Sequence, residues 1–129
     1  MPKEILIVDD EPDVVVPMQF LMEQQGYSVM AAFRGEDALD LIYQYKPDLV
    51  LLDIMLPGID GWEVCEIIRL NPACRDIKII FLTAKGRNEE IAKGLTLGAD
   101  SYITKPFSNA MLVAKVNELL QRTQKEPGE

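Results

Sequence analysis

Short runs of apolar residues alternate along the chain with segments in which apolar residues recur every three or four positions. The short runs are continuous and rich in β-branched side chains, a pattern typical of strands that are buried on both faces of a parallel sheet. They predict five strands, at residues 5–8, 27–32, 49–52, 77–82 and 101–104.

The segments between these runs predict five helices, because apolar residues three, four or seven positions apart share one helical face. We expect Gly26 to end the first helix, Ser108 to cap the last helix, and Pro17 to kink the first. The expected buried faces consist of Val14, Met18, Leu21 and Met22, of Ala38, Leu41, Ile42 and Tyr45, of Val64, Ile67 and Ile68, of a weaker segment at 89–97, and of Leu112, Val116, Leu119 and Leu120.

Consecutive strand–helix units predict an α/β fold with a doubly wound parallel sheet, because right-handed crossovers place helices on both faces. We expect five strands in the order 2-1-3-4-5, together with five helices. A length of 129 residues is typical of one domain. We assign residues 1–122 to this domain and interpret the polar residues 123–129 as a tail or the start of a linker.

Polar residues follow the predicted strands at one edge of this sheet. Asp9 and Asp10 come directly after the first strand, and Asp53 comes directly after the third. Thr83 ends the fourth strand and Lys105 ends the fifth. In an open parallel sheet, functional groups collect beyond the carboxyl ends of the strands, where the strand order reverses. We therefore expect these five side chains to meet in one cleft.

Such a group of side chains indicates phosphoryl chemistry. Two carboxylates ~4 Å apart repel each other by about 4 kcal/mol at an effective dielectric constant near 20, so clustered acids need a cation. An all-oxygen site suits Mg²⁺, and Lys105 would supply a fixed positive charge. Thr83 can donate a hydrogen bond to an anionic oxygen. A carboxylate nucleophile, a metal, an ammonium group and a hydroxyl together suit in-line phosphoryl transfer.

Composition narrows the classes of function. The chain has no histidine, which excludes Ser-His-Asp and Cys-His catalysis, histidine-ligated metals and phosphohistidine chemistry on this chain. Its formal net charge of −8 argues against direct contact with nucleic acid or an anionic membrane. We expect no membrane span, no secretion signal and no disulfide between Cys65 and Cys74. These observations predict a cytoplasmic location.

Four segments of the chain together resemble the receiver domains of bacterial two-component response regulators, which have the flavodoxin/CheY-like fold. The segments are ILIVDDEP at 5–12, LLDIMLPGIDG at 51–61, LTA at 82–84 and GADSYITKPF at 98–107. Each segment alone is a weak signal, but all four in this order and spacing are very specific. The resemblance extends from residue 3 to residue 122 and implies that residues 1–122 form a receiver domain.

The resemblance implies a role for each acid at the predicted edge. Asp53 would be the phosphoacceptor. Asp9 and Asp10 would be the acidic pair that serves Mg²⁺, with Asp53 and the backbone carbonyl of Met55 as further ligands.

The resemblance also implies roles for residues of the last two strands. Thr83 and Lys105 would bind the phosphoryl oxygens, and the Lys105–Pro106 peptide bond would be cis. Tyr102 would be the switch aromatic, which turns inward as Thr83 shifts. Ala84 would keep the entry to the phosphoacceptor open.

Partners follow from the same resemblance. A histidine kinase or phosphotransfer protein would donate the phosphoryl group, and the surface of the fourth helix, fifth strand and fifth helix would signal to an unidentified output domain or downstream protein. The protein would be a switch and not a turnover enzyme, since it would catalyse only its own phosphorylation and dephosphorylation. It would be a monomer or a phosphorylation-dependent dimer. Ser101, Met111 and Asn117 differ from the charged residues that winged-helix transcriptional regulators tend to use in such dimers.

Two other classes of function remain as alternatives. One is a flavin-binding electron carrier with the same strand order, although acids at the expected phosphate position argue against it. The other is a Mg²⁺-dependent phosphohydrolase with Asp53 as its nucleophile. That class has a second aspartate two residues after the nucleophile, where this chain has Met55.

Overall fold

The computed structural model describes residues 2–84 and 88–121. Strands and helices alternate over these residues, and the predicted five of each are confirmed. In chain order they are β1 (Glu4–Val8), α1 (Pro12–Gln24), β2 (Ser28–Ala32), α2 (Gly35–Tyr45), β3 (Leu49–Asp53), α3 (Gly61–Leu70), β4 (Lys78–Ala84), α4 (Asn88–Thr96), β5 (Ser101–Lys105) and α5 (Asn109–Gln121).

The strands form one parallel sheet in the order β2-β1-β3-β4-β5, as predicted. The order reverses direction between β1 and β3, because the chain builds outward from β1 first to one edge and then to the other. Val8 at the end of β1 pairs with Leu52, and Asp53 pairs with Leu82 of β4. This register brings the carboxyl ends of the three central strands to the same edge of the sheet.

Two apolar clusters cover the two faces of the sheet. Alternate strand residues point to opposite faces, so Leu6 and Leu52 pack against α2 and α3, whereas Ile7 and Leu51 pack against α1 and α5. Every residue of β3 is buried, as expected for the central strand of a sheet covered on both sides. These two layers of helices hold the strand ends in fixed positions.

Local sequence signals explain where several helices begin and end. Asp60 caps α3, because its side chain accepts a hydrogen bond from the backbone N–H of Glu63 and Glu63 reaches back in a capping box. Ser108 Oγ accepts the backbone N–H of Met111 at 3.1 Å, in accord with its predicted capping role. Gly26 follows α1 with φ +94°, which favours glycine. The α1 helix continues through Pro17, and the expected kink stays a prediction.

The buried faces of the helices differ in detail from the expected ones. In α2, Leu39 is buried and Tyr45 is 48% exposed, so the predicted burial of Tyr45 is wrong. Tyr45 is the last residue of α2, where the helix ends at a left-handed Lys46. In α1, Val15 is buried and Val14 only partly so. A helical period locates the face of a helix only to within about one residue.

Three further expectations concern the chain as a whole. Cys65 and Cys74 are both free and buried, so the structure contains no disulfide between them. Among the helices of residues 2–84 and 88–121, none combines the length and the apolar character needed to cross a membrane. The predicted tail at 123–129 lies outside the described residues, as does residue 122 at the expected domain boundary.

Candidate functional site

Three carboxylates meet beyond the central strands. Asp9 follows β1 and Asp53 ends β3, so the pairing of these two strands makes them neighbours, and Asp10 comes next along the chain. Each of the three offers one oxygen, and these oxygens lie within 4.8 Å of one another. Asp9 and Asp53 are buried, whereas Asp10 is exposed. The structure thus brings the three predicted acids together.

Lys105 reaches these acids from the edge strand β5. Its Nζ donates hydrogen bonds to Asp9 Oδ2 at 2.8 Å and to Asp53 Oδ2 at 3.3 Å. The side chain spans the width of β4, which separates β5 from β3. The peptide bond that follows, Lys105–Pro106, is cis, as expected. Lys105 therefore acts as the fixed counter-charge of the two buried carboxylates.

Backbone N–H groups hold the other oxygen of each buried acid. Asp9 Oδ1 accepts the N–H of Glu11 at 3.0 Å, and Asp53 Oδ1 accepts the N–H of Met55 at 3.1 Å. Each carboxylate is thus bound through one oxygen to the ammonium group and through the other to the backbone two residues later. These paired bonds fix the orientation of both acids.

The balance of charges at the site shows in two shifted pKa values. Burial, together with the nearby Asp9 carboxylate, raises the pKa of Asp53 to about 6, although Lys105 and the N–H of Met55 oppose the rise. Burial alone would lower the pKa of Lys105, but its hydrogen bond to Asp9 and the charges of Asp53 and Asp9 outweigh burial and raise it. Asp53 is therefore mostly ionised above neutral pH, and Lys105 stays protonated.

The acid cluster fits a small, hard divalent cation. Its donors are all carboxylate oxygens, and Asp10 is exposed to solvent, where bound waters could complete the shell of an ion such as Mg²⁺. Two of the acids already share one ammonium group, which leaves the cluster with a net negative charge. Asp9, Asp10 and Asp53 are the residues that would hold the ion. A ligand role for the Met55 carbonyl stays a prediction.

Thr83 is present at the same edge but contacts a residue that the sequence did not predict. Its hydroxyl donates a hydrogen bond to Glu90 Oε1 of α4 at 3.2 Å, and its side chain is buried. Four of the five residues expected in one cleft lie together, because Lys105 binds Asp9 and Asp53, and Asp10 lies beside them. The hydroxyl of the fifth, Thr83, instead donates its hydrogen bond to α4. No periodic pattern in the sequence predicts that Glu90 lies beside Thr83.

Tyr102 lies in β5, beside Phe81 of β4 in the register of the sheet. Its side chain is 38% exposed and lines a cavity of about 600 Å³ between the edge strand and α5, together with Met111 and Lys115. The ring is thus partly open to solvent in this structure. Its proposed inward movement stays a prediction.

Comparison with known proteins identifies the family of this chain. Residues 5–117 match the family described as the response regulator receiver domain. A proposed response regulator from Chloroflexus aurantiacus J-10-fl is 38% identical, with a TM-score of 0.91 over 95% of this chain and 100% of that one. The signal receiver domain of a signal transduction histidine kinase from Syntrophus aciditrophicus is 30% identical, with a TM-score of 0.88 over 98% and 96%.

A third structure shares the fold at lower identity. The chemotaxis protein CheY4 of Vibrio cholerae is 24% identical, with a TM-score of 0.87 over 93% of this chain and 100% of that one. One assignment agrees with the sheet order 2-1-3-4-5, with the acids beyond β1 and β3, and with the family match over residues 5–117. The chain belongs to the response regulator receiver domain family.

Proposed function

We propose that Asp53 accepts a phosphoryl group from a phosphohistidine of a partner histidine kinase or phosphotransfer protein, in a Mg²⁺-dependent reaction. The observation that carries this proposal is the environment of Asp53. It is a buried carboxylate that contacts an ammonium group and lies beside two further acids at the switch point of the sheet. These 129 residues contain no histidine, so the donor phosphohistidine lies outside them.

The residues of the site suit a nucleophilic displacement at phosphorus. An Asp53 oxygen forms the new P–O bond while the P–N bond of the donor breaks, and the electron pair of that bond returns to the imidazole ring. A pKa of about 6 leaves most of Asp53 ionised at neutral pH and above. No proton has to leave Asp53 before it attacks.

Lys105 and the N–H of Met55 orient the nucleophile and balance its charge. The ammonium group, which Asp9 holds at 2.8 Å, would also contact a phosphoryl oxygen at Asp53. A Mg²⁺ ion bound by Asp9, Asp10 and Asp53 would neutralise the acids and the charge on the phosphoryl oxygens. The protein therefore contributes positioning and electrostatic stabilisation, the main sources of catalysis in phosphoryl transfer.

We also propose that phosphorylation changes the surface formed by α4, β5 and α5, which would contact an output domain or a downstream protein. This surface includes the edge strand β5, the partly exposed Tyr102, and the exposed Met111 of α5. It is connected to the site because Lys105 is the last residue of β5 and Thr83 contacts α4. The predicted cytoplasmic location agrees with such a partner.

Incubation with acetyl phosphate and Mg²⁺ tests the proposal. Intact-protein mass spectrometry should show the addition of one phosphoryl group to the protein and none to Asp53→Asn. The matched control is Asp13→Asn, which alters an acid of the first turn of α1 outside the cluster and should be phosphorylated normally. Chelation of Mg²⁺ should prevent the reaction in every variant. Equal phosphorylation of Asp53→Asn would contradict the assignment of the phosphoacceptor.

Phosphotransfer from purified histidine kinases of the host tests the identity of the donor. A cognate kinase, phosphorylated on histidine, should lose its label to this protein faster than to Asp53→Asn. The same protein should not turn over simple phosphate esters at a steady rate, because the chain has Met55 where a phosphohydrolase has its second aspartate. Sustained ester hydrolysis that depends on Asp53 would instead support the phosphohydrolase alternative.

A further inference from the structure

The contact between Thr83 and Glu90 has a consequence for the strength of phosphoryl binding. Thr83 is 2% exposed, and its hydroxyl donates to Glu90 Oε1 at 3.2 Å. A threonine hydroxyl has one hydrogen to donate. A phosphoryl oxygen at Asp53 and the Glu90 carboxylate therefore compete for the same donor.

We propose that Glu90 is a positioning residue that holds Thr83 in the resting arrangement and opposes phosphoryl binding at Asp53. This inference rests on the proposed phosphoacceptor role of Asp53. To engage a phosphoryl oxygen, Thr83 must give up its bond to Glu90, so part of the binding free energy is spent on breaking that bond. Glu90 thereby sets the affinity of the site and connects its occupancy to α4.

Other contacts of α4 show which part of the helix this release would affect. Glu90 lies in the first turn, where the helix dipole favours its negative charge. Further along, Lys93 Nζ lies 4.0 Å from the centre of the Trp62 ring, and Gly94 packs against the ring of Phe81. These later contacts do not involve Thr83. A change in the Thr83–Glu90 contact would therefore act on the first turn of α4, while the contacts of Lys93 and Gly94 stay in place.

A series of substitutions separates the hydrogen bond from the charge. Glu90→Ala removes both, whereas Glu90→Gln retains a weaker, neutral acceptor. Glu89→Ala is the matched control, because Glu89 is an exposed acid in the same first turn. It removes an equal charge from the helix terminus without removing the acceptor of Thr83.

The affinity for beryllofluoride, a mimic of the phosphoryl group, measures the effect by calorimetry in the presence of Mg²⁺. We expect Glu90→Ala to bind the mimic about five-fold more tightly than the unmodified protein, and Glu90→Gln about two-fold more tightly. Glu89→Ala should stay within about two-fold of the unmodified protein. Unchanged or weaker binding by Glu90→Ala, or equal tightening by Glu89→Ala, would overturn the inference.

Two further measurements exclude an indirect effect. In the Thr83→Ala background, the additional Glu90→Ala change should no longer tighten binding, because the competition for the hydroxyl is absent. The affinity for Mg²⁺ alone should be the same in Glu90→Ala as in the unmodified protein, since Glu90 is not among the clustered acids. Full tightening in the Thr83→Ala background, or an altered Mg²⁺ affinity, would show that Glu90 acts by another route and would overturn the inference.

The unmodified protein distinguishes this inference from the proposed function. If it binds no beryllofluoride and accepts no phosphoryl group from acetyl phosphate, the proposed role of Asp53 fails and the inference fails with it. If it does both and Glu90→Ala behaves as the unmodified protein, only the inference about Glu90 is wrong.

Discussion

Asp53 is mostly ionised at neutral pH, although its burial and the nearby Asp9 favour the neutral form. It is buried beside Asp9, and its pKa is raised to about 6 from an ordinary value of 3.8. Lys105 compensates only in part, because its single ammonium group serves both acids. A nucleophile with little solvent around it reacts readily, but the same burial costs folding stability when no cation is bound.

This cost predicts how Asp53→Asn changes stability with pH. The pKa of Asp53 is higher in the folded than in the unfolded protein, so the folded state holds the proton more tightly and stability falls as pH rises from about 4 through about 6. The neutral variant should therefore be more stable than the unmodified protein at pH 8, by about 1–3 kcal/mol, with the difference vanishing near pH 4. Urea unfolding in the presence of a chelator, at pH values from 4 to 8, measures this difference in the free energy of unfolding.

Asp37→Asn, which alters an exposed acid in the first turn of α2, is the control for this pH dependence. It leaves the acid cluster unchanged and should therefore not be more stable than the unmodified protein at pH 8. Parallel stability curves for Asp53→Asn and the unmodified protein over the same range would contradict the charge balance described for the site.

A second prediction concerns the exposed acid of the cluster. Asp10→Asn should raise the melting temperature without metal by about 1–3 °C, because it removes a charge that repels Asp9 and Asp53. It should also reduce the further rise that Mg²⁺ produces, because one ligand becomes neutral. Melting curves with Mg²⁺ and with a chelator measure both effects. A lower melting temperature without metal would show that Asp10 has a structural role.

At the scale of helices and strands, most of the fold followed from the sequence. Continuous apolar runs predicted the strands well, because both faces of the sheet are covered and no alternation is needed. Helical periodicity predicted where the helices lie but not which residues of each helix are buried. Tyr45 shares the apolar stripe of α2 in the sequence and yet is exposed at the end of that helix. Tertiary packing, which no local pattern contains, decides such positions.

The α4 helix contains a close contact that local propensity would not reveal. A Cβ atom added at Gly94 would lie 2.6 Å from two carbons of the Phe81 ring, and Phe81 is buried in the core with 1% exposure. Gly94→Ala should therefore destabilise the protein by about 1–2 kcal/mol, even though alanine favours helices over glycine by about 1 kcal/mol. Urea unfolding measures the change.

Thr96→Ala, at an exposed position of the same helix, is the matched control. This change also improves helix propensity, and it removes only the bond from the Thr96 hydroxyl to the Ala92 carbonyl one turn earlier. Its stability should stay within about 0.5 kcal/mol of the unmodified protein. If Gly94→Ala is as stable as Thr96→Ala, then α4 moves away from Phe81 without cost.

At the scale of the whole molecule, the sequence predicted which side chains meet but not all of their partners. Asp9, Asp53 and Lys105 come together because the register of parallel strands carries each strand end to one edge. That the strand ends share one edge follows from the parallel orientation and order of the strands. The bond between Thr83 and Glu90 depends on a side-chain torsion and on where α4 begins, and neither follows from strand order. The contacts that restrain the site were therefore harder to predict than its charges.

Thr83 connects the site to α4 of the proposed signalling surface, so Thr83→Ala should separate phosphorylation from signalling. A phosphoryl group brings up to two negative charges to Asp53, and Thr83 can bind one of its oxygens only by leaving Glu90. That movement would vacate space beside β5, where the ring of Tyr102 is 38% exposed, and an inward turn of this ring would alter the surface of α4, β5 and α5. Without the hydroxyl, phosphate should still reach Asp53, at a reduced rate, but Tyr102 should keep its resting arrangement.

NMR spectra of the Tyr102 ring and of the β5 and α5 amides, with and without beryllofluoride, measure whether Thr83→Ala leaves Tyr102 in its resting arrangement. Shifts in Thr83→Ala as large as those of the unmodified protein would show that the signal reaches the surface through Lys105 and β5 instead.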